Sequence, residues 1–134
     1  MTTELLLRHG VASWDDVHES LTSAISQVVE GIALEFEARC GDSAHHVSGK
    51  QLVDGSLRLT AAGNDSLPSA SQLTVRDERA VIAVGFSVKS ADWGSFCWDW
   101  SAPLDEVAVA SGVIRTMRDI YKVQPSDLDV SITL

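Results

Sequence analysis

The chain has 134 residues, of which 45% are apolar and 22% charged, the composition of one globular domain (1–134) that can bury a core. Its net charge of −9 argues against direct binding to nucleic acids or anionic membranes, since both depend on clustered Lys and Arg. No apolar run reaches the ~20 residues of a membrane span, and the first apolar segment is too short for a secretory signal. These features predict a cytoplasmic protein with a basic protein partner, unless the acidity serves only solubility.

The segment LLLRHGVASW, residues 5–14, carries an Arg-His-Gly motif. It resembles the opening of the histidine phosphatase and phosphoglycerate mutase superfamily, in which a strand ends in this motif. The resemblance implies that His9 is a phosphorylated nucleophile and that Arg8 binds phosphate. The match is confined to these ten residues, and the remaining histidines lie in the first third of the chain without the context of the family's second histidine. We interpret the motif as accidental and predict no enzymatic activity and no cofactor.

A long helix is predicted to follow this motif. Ser13 is its N-cap, apolar residues recur at helical spacing from Trp14 to Phe36, and Gly41 is its natural stop. The opposite side of this helix carries carboxylates that predict an outward acidic stripe for a partner: Glu19, Glu30 and Glu37.

Between 44 and 101 the pattern changes to the period of two that is typical of strands. Asp54-Gly55 predicts a two-residue hairpin turn in which both positions need positive φ. Two further strands are predicted at 71–75 and 80–89, separated by the charged turn RDER. In the second of them the bulky residues share one face and the small residues share the other.

The aromatic segment that follows has two predicted roles. Phe96, Trp98 and Trp100 alternate with smaller residues, so we expect them to pack as core against a helix. Trp93 lies beside Asp92 at a predicted hairpin tip, where burial is hard to arrange. We therefore predict Trp93 and Asp92 as contacts to a protein partner.

A second helix is predicted from Ser101 and Pro103 onward. Its apolar arc is wide, which indicates burial on two sides, against the first helix, a partner or a twin subunit. The homodimer alternative uses Val109, Val113 and Ile120.

The last residues, 128–134, alternate as a half-exposed strand. The whole pattern predicts an α+β fold: a single mostly antiparallel sheet of about six strands with two helices on one face, in the order α-β-β-β-β-β-α-β.

Other chemical motifs are weak. Cys40, His45 and His46 lack the ligand spacing of a zinc site, so no metal is predicted. Cys40 and Cys97 are expected to be free thiols, since a domain with an adequate core does not need a disulfide. No Gly-rich phosphate loop and no nucleophile elbow occurs.

The sequence thus favours a non-enzymatic, acidic, protein-binding domain. In broad properties it is similar to bacterial immunity proteins and small phage inhibitors, and the leading hypothesis is an inhibitor that neutralises a basic toxin or nuclease. One alternative is an acidic secretion chaperone that acts as a homodimer. Another is an enzyme or small-ligand binder that uses the aromatic sheet face as a pocket wall. A third is a structural subunit whose C-terminal strand pairs with a neighbouring sheet.

Overall fold

The computed structural model describes residues 2–10, 13–88 and 95–134. In these residues every strand pairing is antiparallel, and the strands form one sheet in the order β1-β7-β2-β3-β4-β6-β5. The strands are β1 (Thr3–Leu7), β2 (Glu35–Cys40), β3 (His46–Gln51), β4 (Leu57–Ala62), β5 (Ser87–Val88), β6 (Ser95–Trp100) and β7 (Leu128–Thr133). The α-helices are α1 (Trp14–Val29), α2 (Val75–Val84) and α3 (Glu106–Arg115).

One face of the sheet forms the core with the helices. The register aligns Phe36, Gly49, Leu59 and Trp98 in one row across four strands on this face. α1 packs on α3 and covers the sheet with an apolar stripe, and side chains from both helices and sheet form a single buried cluster. The predicted α+β fold, one antiparallel sheet with helices packed against it, is confirmed, although the described residues contain three α-helices and seven strands.

The order of elements differs from the prediction at its start. β1 is an edge strand that pairs only with β7, and it precedes α1. β7 lies between β1 and β2 and is hydrogen-bonded on both sides. The C-terminal strand is therefore an inner strand of this sheet, and the alternative in which it pairs with a neighbouring sheet is wrong.

α1 begins where the sequence predicts and ends earlier. Ser13 accepts a hydrogen bond from the backbone N–H of Asp16 and forms a capping box with it, which satisfies free N–H groups of the first turn. The helix stops at Val29. Gly31 follows with a φ of 78°, a left-handed conformation that commonly ends a helix and that glycine adopts readily because it has no Cβ. Phe36, predicted on the helix, lies instead in β2, as does Glu37.

The predicted strands at 71–75 and 80–89 are wrong over most of their length. Residues 75–84 form α2, whose N-cap Thr74 makes a second capping box with Asp77. Only Ser87 and Val88 pair as a strand, β5, within the described residues. The RDER segment belongs to the first turns of this helix, where its carboxylates face the positive end of the helix dipole.

The β3–β4 hairpin is confirmed with a different turn. Leu52 and Ser56 close it through a backbone hydrogen bond of 2.8 Å, so three residues form the loop. Gly55 has a φ of 88°, whereas Asp54 keeps a negative φ, because a three-residue loop needs the left-handed conformation only at its last position.

α3 starts at Glu106, with Asp105 as N-cap, later than predicted. It continues into a π-helical turn, Thr116–Ile120, closed by a hydrogen bond from the Tyr121 N–H to the Thr116 carbonyl. The residues proposed for a homodimer are buried within this chain, so they are core and are not available as a subunit surface: Val109, Val113 and Ile120.

Trp98 and Trp100 lie on the helix side of the sheet, half-buried against the core, as predicted. Their rings pack against each other at a centroid distance of 4.6 Å, and Phe86 meets Trp98 edge-on at 5.3 Å. Gly85 passes so close to Trp98 that a Cβ there would lie 2.5 Å from the indole. The aromatic cluster therefore fixes the path of the chain between α2 and β5.

Candidate functional site

One end of the sheet exposes a set of large apolar side chains. Leu34 precedes β2 and Leu134 follows β7, and the register of these strands places them at the same end. The β3–β4 turn with Val53 also lies there, since Lys50 pairs with Glu35. We define the apolar rim as four side chains that are 39% to 110% exposed: Ile32, Leu34, Val53 and Leu134.

The backbone holds the centre of this rim in place. The Leu34 N–H donates to the Thr133 carbonyl at 2.7 Å, and the Leu134 N–H donates to the Thr2 carbonyl at 2.8 Å. The Ile32 N–H donates to the Gln27 carbonyl at the end of α1, at 2.9 Å. An apolar surface on a fixed backbone is ready to bind another apolar chain without an additional ordering cost.

The open face of the sheet is polar, and part of its charge is paired internally. Arg58 donates two hydrogen bonds to the Asp99 carboxylate, at 2.8 and 2.9 Å. The Asp99 pKa is lowered, first by these hydrogen bonds. Glu37 accepts from Arg39 on the same strand at 2.7 Å. Glu37 therefore belongs to an ion pair of β2, and its predicted place on an acidic helix stripe is wrong.

The other predicted partner residues have separate outcomes. Glu19 lies in α1 and Glu30 caps its C-terminus, and both are exposed. Trp93 and Asp92 lie outside the described residues. Among the predicted partner contacts that the structure describes, only Glu19 and Glu30 belong to the same element, α1 and its C-cap.

The Arg-His-Gly motif lies just after β1, in acidic surroundings. His9 contacts Asp129 twice, through its backbone N–H at 2.6 Å and through Nδ1 at 3.0 Å. A shallow pocket beside it is also lined by Asp42 and Asp127. Carboxylates in these positions repel a phosphoryl group, whereas phosphoryl transfer needs a positive cradle. The local geometry thus agrees with the interpretation of this motif as accidental.

A second polar cleft lies between α1 and α3, with a volume of about 250 Å³. Trp14 and Ile114 supply its apolar wall, and Arg115 and Arg118 supply its positive charge. The Arg118 guanidinium lies 6.0 Å from the centre of the Trp14 ring and donates to Asp119 at 2.8 Å. The two arginines of the cleft are matched in charge by Asp15 in its lining and by Asp119 beside Arg118.

His46 is the first residue of β3, and His45 lies in the loop directly before it. His45 is buried against Tyr121, and its Nδ1 lies 2.7 Å from the Ser43 hydroxyl. Cys40 is a buried free thiol and Cys97 is a half-buried one. Within the described ranges no group of three His, Cys, Asp or Glu side chains could hold a metal ion.

Sequence reasoning missed Leu34 and Arg115. Leu34 was counted inside a helix, although Gly31 is a signal that the helix ends before it. Arg115 follows Ile114 on the last turn of α3, and only the packing of α1 against α3 shows that it lines a cleft. Among the helices that the structure describes, none combines the length and apolar character that a membrane crossing requires.

Comparison with known proteins gives one family. The model of the family described as "TY-Chap3: T3SS (YopN, CesT) and YbjN peptide-binding chaperone 3" matches residues 8–133. This range includes the rim residues before Leu134, the cleft and both capping boxes. No curated protein and no solved structure gives a match. Because the family model covers nearly the whole chain, the protein belongs to the TY-Chap3 family of peptide-binding chaperones.

Proposed function

We propose that the protein is a non-catalytic chaperone that binds extended segments of client proteins at the apolar rim. The observation that carries this proposal is the match of residues 8–133 to a family of peptide-binding chaperones. The family favours the chaperone alternative over the inhibitor that the acidic composition suggested. Peptide binding needs an accessible surface and no catalytic group, and the fixed, exposed rim meets this requirement.

The rim is better suited to binding than the edges of the sheet. A free edge strand can bind a peptide by pairing with it. On β1, however, the pairing register shifts between Leu5 and Leu7, and Glu4 adds a charge. Both features disfavour pairing of this edge strand with another chain. At the other edge, only Ser87 and Val88 of β5 lie among the described residues, so the described part of that edge is short. Side-chain contacts to Leu34 and its neighbours therefore account for binding better than strand addition does.

The acidic surface adds a preference for charge. Glu19 and Glu30 are exposed on α1, and α1 ends beside Ile32 of the rim. We infer that these carboxylates attract basic residues that flank the apolar part of a client. Attraction of this kind weakens as salt screens it, whereas contacts at the apolar rim do not.

The proposal includes action in the cytoplasm. Two free thiols support it, because the cytosol keeps cysteines reduced. Cys40 and Cys97 also lie on opposite faces of the sheet, so they cannot form a disulfide with each other. A homodimer through a surface other than the buried Val109, Val113 and Ile120 stays a prediction that light scattering on the purified protein tests.

Selection from a displayed library of random peptides tests peptide binding. The full chain is immobilised, and selected peptides are synthesised and measured against it in solution at low and high salt. We expect enriched peptides that share apolar residues and carry flanking Lys or Arg. Failure to enrich any sequence over a bare support would contradict the proposed function.

A further inference from the structure

We propose that the cleft between α1 and α3 binds a carboxylate of the client peptide next to an apolar side chain. This inference rests on the proposed function and adds a second contact point of opposite charge. The cleft is separate from the rim: it lies at the first turn of α1, whereas the rim lies beyond its last turn. A client that reaches both would contact the two ends of one helix.

Arg115 is the group of the cleft that favours an anion. Arg115 and Arg118 line the cleft together with Asp15, and a second carboxylate, Asp119, lies beside Arg118 and also interacts electrostatically with Arg115. Arg118 is held by Asp119 through two hydrogen bonds, at 2.8 and 3.3 Å. Arg115 is exposed and forms no ion pair within the part of the chain that the structure describes, so its guanidinium is accessible to a ligand carboxylate. A guanidinium matches the two oxygens of a carboxylate better than it matches any neutral group.

The remaining polar groups of the cleft are satisfied internally. The Ser111 hydroxyl donates to the Val107 carbonyl at 2.9 Å, and His18 Nε2 lies 3.4 Å from the Ser111 hydroxyl oxygen. Trp14 is half-buried and Ile114 is buried, and together they form an apolar wall beside the arginines. The wall accepts an apolar side chain of the client, and Arg115 binds the carboxylate next to it. The cleft therefore selects a client segment with an apolar residue beside an acidic one.

The π-helical turn that follows α3 supports this assignment. It begins at Thr116, directly after Arg115, and Arg118 lies within it. Such turns interrupt regular helices at a cost in hydrogen-bond geometry and are frequent at functional sites. Arg118 of this turn and Arg115 directly before it both line the cleft.

Two blocked dipeptides that differ only in charge test the site: N-acetyl-Leu-Glu-amide and N-acetyl-Leu-Gln-amide. Each is titrated into the full chain while the indole N–H signal of Trp14, identified with Trp14→Phe, is followed by NMR. We expect the Glu dipeptide to shift this signal and to bind more tightly than the Gln dipeptide. A third probe, N-acetyl-Leu-Leu with a free C-terminus, reports whether a terminal carboxylate serves as well as a side chain.

Three variants separate charge from general packing. Arg115→Gln should weaken binding of the Glu dipeptide about two- to fivefold, and Asp15→Asn should strengthen it by a similar factor, because the two side chains act on the ligand with opposite sign. Arg79→Gln removes an exposed arginine of α2 that lies outside the cleft and should change nothing. Equal binding of the Glu and Gln dipeptides, or an unchanged Arg115→Gln variant, would overturn the carboxylate site.

The same data distinguish this site from the proposed function. If library peptides bind the chain while the dipeptides fail, the carboxylate site is wrong and the chaperone proposal stands. If the Glu dipeptide binds with the expected charge dependence while no library peptide binds, the site is supported and the chaperone proposal fails.

Discussion

The His45 imidazole stacks on the Tyr121 ring with centroids 4.6 Å apart and planes 27° from parallel. Tyr121 in turn donates a hydrogen bond from its hydroxyl to the Ala62 carbonyl at 2.7 Å. This pair joins the loop before β3, the end of the π-helical turn and the end of β4. Three elements of the chain thus meet at Tyr121, which contacts His45 through its ring and β4 through its hydroxyl.

Burial lowers the pKa of His45 below its ordinary value of 6.5, and a nearby Ser71 carbonyl and Asp77 only partly oppose this. The unfolded chain therefore binds a proton at this imidazole more readily than the folded protein does. The resulting stability is present above the unfolded pKa and is lost as the pH falls below it. We predict that the free energy of unfolding decreases from about pH 7.5 to about pH 5 and that His45→Gln reduces this dependence.

Urea unfolding at a series of pH values measures the effect for both proteins. The comparison isolates His45, because the three other histidines are present in each. A pH dependence that is the same in the variant and the wild type would show that His45 does not carry it.

Gly85→Ala should destabilise the fold by about 3 kcal/mol or more, since it combines two costs. Gly85 has a φ of 144°, which side chains rarely adopt, and its Cβ would lie 2.5 Å from the Trp98 indole. Gly10→Ala is the control, because Gly10 also has a positive φ, 123°, and a Cβ there meets nothing within 4 Å. Chemical denaturation should show the smaller loss for Gly10→Ala; equal losses would mean that the Trp98 contact relaxes freely.

Phe36→Ala should cost about 3–5 kcal/mol of unfolding free energy, whereas Leu34→Ala should change it by about 0.5 kcal/mol or less. The two positions are close in sequence, but Phe36 is 1% exposed and Leu34 is 59% exposed. Denaturant melts of the two variants test the placement of β2 and the end of α1. Losses of similar size would contradict the placement of Leu34 outside the core, before β2 begins.

Local signals in the sequence account for the elements that could be predicted. Ser13 is a helix N-cap, Gly55 permits the hairpin turn, and the strict alternation of 128–133 gives a strand. Each depends on residues adjacent in sequence. The side of the sheet occupied by Trp98 and Trp100 was also predictable, because bulky and small residues alternate along β6.

Some predictions were wrong because apolar residues outside a helix continue its spacing, or because a true helix has too few apolar residues to show that spacing. Ile32 and Phe36 continue the helical spacing of α1 by chance, and the left-handed Gly31 outweighs that spacing. α2 is short, with only Val81 fully buried, so its helical period is weak and its capping box at Thr74 is the better signal. β1 carries few features of its own, since its pairing with β7 joins opposite ends of the chain.

The candidate sites depend on tertiary structure in the same way. Leu34, Val53 and Leu134 are far apart in sequence, and the strand register brings them to one end of the sheet. The cleft depends on the packing of α1 against α3. Neither the strand register nor the packing of the two helices can be read from residue spacing along the chain. The sequence therefore indicated a binding protein without locating its surfaces.

The affinity of one library-selected peptide for the wild type, Leu34→Ser and Val75→Ser tests the central claim most directly. Val75 is 65% exposed at the start of α2, outside the rim, and serves as the matched apolar control. We predict that Leu34→Ser weakens binding about five- to tenfold through lost apolar contact, while Val75→Ser leaves the dissociation constant unchanged. Unchanged affinity of Leu34→Ser, or an equal loss in both variants, would contradict binding at the apolar rim.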